Sequence, residues 1–136
     1  MIKCINHIGI AVTDLEQAIE TFRKIFQFTE VHREEVADQK IEVASFKVGD
    51  MLIELTKPTS PDGPIGKFIE KNGGKGGLHH IAFETDNVAE DLNRIECEGI
   101  QLIDKAPRPG AHDMMIAFMH PKSTNGVLTE ICQPKH

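Results

Sequence analysis

The chain has 136 residues and a formal net charge of −6, and 40% of its residues are hydrophobic while 26% are charged. This mixture is typical of one globular domain with enough apolar material for a core. The acidic balance without a basic patch argues against nucleic-acid binding, no apolar run approaches the roughly 20 residues of a membrane span, and three scattered cysteines without a secretory leader favour a cytoplasmic protein.

The first half of the chain has the signals of a β-α-β-β-β unit. Strands are predicted at about residues 4–12, 28–34, 41–48 and 51–56. After the first strand, Asp14 is a good helix N-cap with Gln17 as its capping-box partner. Apolar residues then recur at helical spacing, which predicts one buried helix face formed by Leu15, Ala18, Ile19, Phe22, Ile25 and Phe26.

The second half has the same order of signals, after a proline- and glycine-rich linker that carries a short helix. Strands are predicted at about residues 78–85, 100–103, 114–119 and 126–132. Asn87 is predicted to cap a helix with Glu90, and Gly99 is predicted to end it. The glycines of the linker follow no strand and precede no Lys-Ser/Thr, so they do not indicate a phosphate-binding loop.

The two halves also share residues, which indicates an internal repeat. The segment from His7 to Leu15 can be laid on the segment from His80 to Val88, and both run from a histidine through an apolar strand to a helix cap. The pattern Leu-x-Glu-(Leu/Ile)-x-x-Pro occurs at Leu52–Pro58 and again at Leu128–Pro134. The sequence therefore predicts an α+β fold of two βαβββ modules in a single domain, with module boundaries of about 1–58 and 78–136 and a linker of about 59–77.

The repeat places a histidine on the first strand and a glutamate on the last strand of each half. If the modules are related by a pseudo-twofold, His7, Glu54, His80 and Glu130 point to one place. Two imidazoles and two carboxylates suit a divalent ion such as Co, Ni, Mn, Zn or Fe. Four protein ligands on an octahedral ion leave two positions open, which is typical of a catalytic metal site. Taken singly, each residue has an ordinary alternative as a surface polar group, but both types recur at equivalent positions.

The motifs around these residues resemble a known superfamily over nearly the whole chain. The opening run from His7 to Val12 and the blocks Gly77–Ala82, Phe118–Ser123 and Gly126–Glu130 are similar to the vicinal oxygen chelate superfamily. Within it they resemble the methylmalonyl-CoA epimerases more than glyoxalase I. The resemblance implies two βαβββ modules forming a curved mixed sheet around one metal ion, and it also implies a homodimer.

The resemblance further implies an isomerase that interconverts (2R)- and (2S)-methylmalonyl-CoA by removing the C2 proton, through a metal-stabilised enolate. It carries the metal-ligand roles onto the four residues of the repeat, with His80 rather than His79 as the ligand. Proton transfer on two faces of the substrate needs two groups. Glu130 is one candidate and Glu42 is the other, although Glu42 can equally be a solvated strand residue.

An acyl-CoA substrate brings phosphates to an acidic protein, so local cations have to meet them. Lys122, with its neighbour Ser123, is the predicted substrate-binding position, and ordinary surface charge is the alternative interpretation for this lysine. Two other functions remain open on the same fold. One is a glyoxalase I (lactoylglutathione lyase)-type isomerase, and the other is a non-catalytic ligand-binding protein. A ring-cleaving dioxygenase is disfavoured because that chemistry uses two histidines and one carboxylate.

Overall fold

The computed structural model describes all residues 1–136 and contains eight strands and three α-helices. The strands are β1 (Ile2–Ala11), β2 (His32–Val36), β3 (Ile41–Val48), β4 (Met51–Pro58), β5 (Gly77–Thr85), β6 (Arg108–Pro109), β7 (Met114–Met119) and β8 (Thr129–Pro134). The helices are α1 (Leu15–Phe26), α2 (Pro64–Lys71) and α3 (Val88–Cys97). The order β1-α1-β2-β3-β4, followed by α2 and then β5-α3-β6-β7-β8, confirms the predicted α+β class of two βαβββ modules.

The chain divides into two compact units, and the boundaries of these units differ from those of the two predicted modules. One unit comprises Met1–His7 together with His80–His136, and the other comprises Ile8–His79. Strand β1 therefore contributes its first residues to one unit and its last residues to the other. The module and linker boundaries given by the repeat stay a prediction about the domain organisation.

The unit of residues 8–79 contains strands in the order β2-β3-β4-β1, and apolar side chains pack on both faces of this sheet. One face of this sheet is covered by α1, because Leu15, Ala18 and Ile19 pack with Ala44, Phe46 and Leu55. The opposite face carries Ile41 and Val43, which pack with Ile65 and Ile69 of α2. Successive side chains of β3 therefore point alternately to the sheet face covered by α1, called the α1 face, and to the face covered by α2, called the α2 face.

The unit formed by residues 1–7 and 80–136 has the strand order β1-β5-β8-β7-β6. Strands β5 and β8 are parallel, whereas β7 is antiparallel to β8 and to β6, so the sheet is mixed. Helix α3 covers one face through Val88 and Leu92. The other face carries a separate buried cluster whose members are Ala82, Met114, Ile116, Phe118 and Cys132.

Local helix signals are confirmed at both predicted caps. The Asp14 side chain accepts from the Gln17 backbone N–H at 3.1 Å, and the Asn87 side chain accepts from the Glu90 N–H at 3.0 Å. Each bond satisfies an N–H group that the first turn of a helix leaves without a partner. None of the α-helices combines the length and the hydrophobicity that a membrane-spanning helix requires.

The predicted strand at residues 100–103 is wrong. Only Leu102 forms a bridge, to Met119, and the two-residue strand β6 lies further along the chain. The reason is that both Ile103 and Asp104 donate their backbone N–H to the same carbonyl of Phe118, at 2.9 and 3.2 Å. The Asp104 carboxylate then accepts from the Phe118 N–H at 2.9 Å, which takes the place of a strand partner.

Candidate active site

Three of the predicted ligands meet inside the unit of residues 1–7 and 80–136. His7 Nε2 lies 3.1 Å from His80 Nε2, and Glu130 reaches both rings, with Oε2 at 3.6 Å from His7 Nε2 and Oε1 at 3.4 Å from His80 Nε2. The exposed fraction is 6% for each histidine and 3% for the glutamate. The two rings stand edge to face, with an interplanar angle of 89°. The cluster is therefore a buried set of nitrogen and oxygen donors around one point.

The strand register explains why these residues meet. Glu130 on β8 pairs with Ala82 on β5 and with Phe118 on β7, so its side chain shares the face opposite to α3. His80 precedes Ala82 by two residues on β5 and therefore lies on the same face. His7 is the last residue that β1, the neighbour of β5, contributes to this unit.

The donor spacing fits a divalent transition ion. Bonds of about 2.1 Å with tetrahedral or octahedral angles place neighbouring ligand atoms roughly 3.0–3.4 Å apart. The observed separations of 3.1 and 3.4 Å fall in that range and the third, 3.6 Å, lies just above it. A buried carboxylate beside two imidazole nitrogens is also costly unless a cation or proton lies among them. His7, His80 and Glu130 can thus hold one divalent ion.

The Nδ1 side of the His7 ring, opposite to Nε2, contacts polar neighbours. Its Nδ1 lies 2.7 Å from Asn6 Oδ1, and the Asn6 Nδ2 donates to Glu84 Oε1 at 3.0 Å. Lys3 Nζ lies 3.3 Å from Glu84 Oε2. Neither Asn6 nor Glu84 is predicted from the sequence as a site residue. A signal for Glu84 was present, because it is a carboxylate four residues after His80 on the same face of an otherwise apolar strand.

His80 is held by an aromatic contact instead. The ring of Phe118 meets His80 edge to face, with centroids 5.7 Å apart, and the guanidinium carbon of Arg108 lies 5.4 Å from the Phe118 centroid. Arg108 Nε donates to Asp104 at 2.9 Å. The cation over the ring and the carboxylate behind it keep Phe118 in place, and Phe118 limits the tilt of His80.

The fourth predicted ligand, Glu54, belongs to the unit of residues 8–79. It lies on β4 opposite Ser45 of β3 and is 5% exposed. Its neighbour Leu55 packs on the α1 face, so Glu54 lies on the α2 face. Its role as a metal ligand stays a prediction.

Glu42 lies on the other face of the same sheet. It is two residues before Ala44 on β3, and Ala44 packs against α1. The side chain is 39% exposed, and its carboxylate lies 3.7 Å from Arg33, which also pairs with Glu16 of α1. This position gives the predicted catalytic role of Glu42 no support, because strand alternation directs it away from the face of Glu54.

Replacing Glu42 with glutamine is accordingly expected to leave turnover nearly unchanged. The variant loses only a solvent-exposed ion pair, which contributes about 1 kcal/mol or less to stability. We expect kcat/KM on the substrate to stay within about twofold of the wild-type value. A loss of about 100-fold or more, with normal folding, would restore Glu42 as a catalytic group.

The two predicted substrate-binding residues occupy a short 3₁₀ turn at Pro121–Ser123 and differ in their surroundings. Lys122 is exposed and forms no ion pair, so its ammonium is available to an anion. The Ser123 hydroxyl accepts from the Gln101 N–H at 2.9 Å. Ser123 thus has a structural contact of its own within the unit.

His79 precedes His80 on β5, so strand alternation directs its side chain to the opposite face of the strand. Its ring meets Phe68 of α2 edge to face, with centroids 5.0 Å apart, inside the unit of residues 8–79. Burial lowers the pKa of His79 to about 4, so its imidazole is neutral near pH 7.

Comparison with known proteins identifies the family of this site. The family model of the glyoxalase/bleomycin resistance protein/dioxygenase superfamily matches residues 6–118. The chain belongs to this superfamily. Members typically bind a divalent metal ion, and this chain has a buried group of histidine and glutamate side chains that could hold one.

Several relatives of the chain are named as epimerases, which are isomerases. The chain is 34% identical to an ethylmalonyl-CoA/methylmalonyl-CoA epimerase of Cereibacter sphaeroides over 98% of this chain and 99% of that protein. It is 42% identical to the uncharacterized protein YqjC of Bacillus subtilis over 96% of this chain and 92% of that one. A solved methylmalonyl-CoA epimerase in complex with methylmalonyl-CoA and NH4+ superposes with a TM-score of 0.93 at 35% identity, covering 99% and 96% of the two chains. These similarities confirm the predicted superfamily and the isomerase class.

Proposed function

We propose that this chain is a metal-dependent epimerase that interconverts (2R)- and (2S)-methylmalonyl-CoA by removing and returning the C2 proton. The observation that carries the proposal is the buried cluster of His7, His80 and Glu130, with donor atoms 3.1–3.6 Å apart. Epimerases of methylmalonyl-CoA among the relatives and solved structures support the substrate. Glu54 completes the proposed ligand set, on the grounds of the internal repeat and of its 5% exposure.

Removal of the C2 proton requires the site to stabilise negative charge on the substrate. The C2 hydrogen lies between a thioester and a carboxylate, and its removal places negative charge on the thioester oxygen. The cluster of His7, His80 and Glu130 would hold a divalent ion, which would supply positive charge to stabilise that oxygen. Each of the three residues in the cluster is at most 6% exposed, so the surrounding packing restricts the movement of its side chain. A rigid set avoids reorganisation while the charge develops.

Glu130 is proposed to be one of the two proton-transfer groups. Its carboxylate is buried on the same face as His80 and Phe118, and both of its oxygens face imidazole nitrogens. A carboxylate at the edge of the ligand cluster can take a proton from a carbon whose acidity is raised beside it. The second group has to reach C2 from the opposite side, since epimerisation returns the proton to the other face.

Recognition of the coenzyme A portion is proposed to involve Lys122. The lysine is exposed and unpaired, and it lies on the turn just after β7, the strand that pairs with β8 of Glu130. A free ammonium is suited to a phosphate. Ser123, the other predicted substrate-binding residue, is proposed to act beside Lys122 on the same turn, where its hydroxyl accepts from the Gln101 N–H.

A homodimer in the cytoplasm is part of the proposal. The resemblance to the epimerases supports the dimer, and three free cysteines support a reducing compartment. Sedimentation equilibrium of the purified protein tests the assembly, with a mass of about twice 15.1 kDa as the expected result.

The decisive assay follows the C2 proton itself. Methylmalonyl-CoA incubated with the protein in deuterated water is expected to gain one deuterium at C2, much faster than in a blank without protein. Treatment with a strong chelator is expected to abolish the exchange, and one of Co, Ni, Mn, Zn or Fe is expected to restore it. The hemithioacetal of glutathione serves as the comparison substrate, and preferential turnover of it would replace this function with a glyoxalase I-type one. Exchange at the blank rate, or exchange insensitive to chelation, would contradict the proposal.

A further inference from the structure

We propose that Asn6 and Glu84 are positioning residues that select the tautomer of His7 and so aim the Nε2 lone pair into the ligand cluster. The inference rests on the proposed role of His7 as a metal ligand. It adds two residues of this chain that act through His7 and do not touch the ion. Each link is a hydrogen bond whose direction is decided by chemistry.

The first link sets the orientation of the Asn6 amide. Asn6 offers an oxygen that accepts and a nitrogen that donates, and the two are hard to tell apart by shape alone. An ionised carboxylate only accepts, so the Asn6 atom that lies 3.0 Å from Glu84 Oε1 has to be the Nδ2 donor. The amide oxygen of Asn6 is thereby turned to the other side, towards His7.

The second link sets the tautomer of His7. The Asn6 oxygen lies 2.7 Å from His7 Nδ1, and an amide oxygen has no hydrogen to give. Nδ1 therefore carries the proton, and the neutral ring keeps its lone pair on Nε2. Nε2 is the atom that lies 3.1 Å from His80 Nε2 and 3.6 Å from Glu130 Oε2. The two hydrogen bonds, from Asn6 to Glu84 and from His7 to Asn6, form a relay. This relay leaves the Nε2 lone pair of His7 directed at the point where the proposed ion binds.

Lys3 contacts the carboxylate of Glu84, the last residue of the relay. Its Nζ lies 3.3 Å from Glu84 Oε2, and the hydrogen bond to Glu84 is the main cause that raises the pKa of Lys3. The Lys3 ammonium thus lies beside the carboxylate that accepts from Asn6. Lys3 is also 3.7 Å from Asp86, so Glu84 is its nearer partner.

The first test reads the tautomer in the metal-free protein. Nitrogen-15 NMR of the imidazoles at about pH 8, above the ordinary pKa of a free histidine, distinguishes a protonated Nδ1 from a protonated Nε2. We expect His7 in the wild-type protein to carry its proton on Nδ1. In Glu84→Gln the new amide can donate as well as accept, so Asn6 is free to turn over, and a mixture of His7 tautomers is expected. A wild-type His7 protonated on Nε2 would overturn the inference.

The second test measures metal affinity with a competing chromophoric chelator and Co²⁺ as the probe. Asn6→Leu removes both links at nearly constant volume and is expected to weaken Co²⁺ binding about 10- to 100-fold, the usual effect of losing the partner of a ligating histidine. Asn6→Asp still accepts from Nδ1 and is expected to stay within about threefold of the wild type. Asn93→Ala, which removes an exposed asparagine of α3, is the matched control.

The outcomes separate this inference from the proposed function. If wild-type protein fails to bind Co²⁺, the metal proposal fails, while the tautomer of His7 is still decided in the metal-free sample. If wild-type protein binds Co²⁺ and Asn6→Leu binds it equally tightly, the relay is overturned and the metal proposal stands. Chemical unfolding of each metal-free variant is measured beside these assays. Should Asn6→Leu not fold, the isosteric Glu84→Gln decides both tests.

Discussion

Replacing His80 with glutamine is expected to reduce kcat/KM for epimerisation by about 10³-fold and to abolish tight binding of a divalent ion. His80 is one of the three side chains whose donor atoms lie 3.1–3.6 Å apart, and its loss leaves only His7 and Glu130 of this cluster. The expected loss is large because the charge that develops on the substrate has no other fixed cation to meet it.

The adjacent histidine provides the matched control for this prediction. His79→Gln changes the same residue type one position earlier, at a side chain that packs on Phe68 and not on the cluster. We expect His79→Gln to bind the ion as the wild type does and to keep kcat/KM within about threefold. Metal content by elemental analysis and turnover are the measurements. Equal losses in both variants would mean that the cluster is not the centre of the reaction.

The second large effect is expected for stability, at Gly76. A Cβ at this position would lie 2.1 Å from the carbonyl oxygen and 3.0 Å from the carbonyl carbon of Ala11, with the Val12 Cα at 3.3 Å. All three atoms belong to the backbone where β1 ends, so no side chain can rotate away from the overlap. Gly76→Ala is therefore expected to lower the free energy of unfolding by about 3 kcal/mol, which corresponds to a fall in Tm of roughly 10 °C.

Gly77→Ala is the control for this substitution. The nearest atom to a Cβ at Gly77 is Asn72 Nδ2, at the ordinary contact distance of 3.6 Å. Both variants gain one methyl group and lose the same chain freedom in the unfolded state, so their difference reports the overlap alone. Urea unfolding with an unchanged m-value is the measurement. Equal midpoints for the two variants would show that the close approach of Gly76 to Ala11 does not exist.

The helix caps and the repeated His and Glu motifs were readable from short segments of sequence. Asp14 and Gln17, or Asn87 and Glu90, are three residues apart, and a helix brings such neighbours together whatever surrounds it. The repeat then carried the pattern from one half to the other, which predicted the element order and the meeting of His7 with His80 and Glu130. Glycine at position 99, with a φ of +86°, likewise ends α3 through its own backbone preference.

Other features depended on contacts that no local pattern contains. The segment of residues 100–103 has the composition of a strand, but the Phe118 carbonyl and the Asp104 carboxylate gave it other hydrogen bonds. Glu42 also has an ordinary strand position, and only the packing of Ala44 on α1 decides which face it shares. A shift of one residue in register would have reversed that face.

Sequence alone therefore determined the α+β class and the two βαβββ modules, and it predicted that His7, His80 and Glu130 lie together. Caps and periodicity act over a few residues, and an internal repeat is found by direct comparison. Tertiary structure alone decided the face of Glu42, the loss of the strand at residues 100–103 and the contacts of Asn6 with His7 and Glu84. The physical reason is that the side-chain partners of a strand come from residues far along the chain, and they are chosen by register and packing.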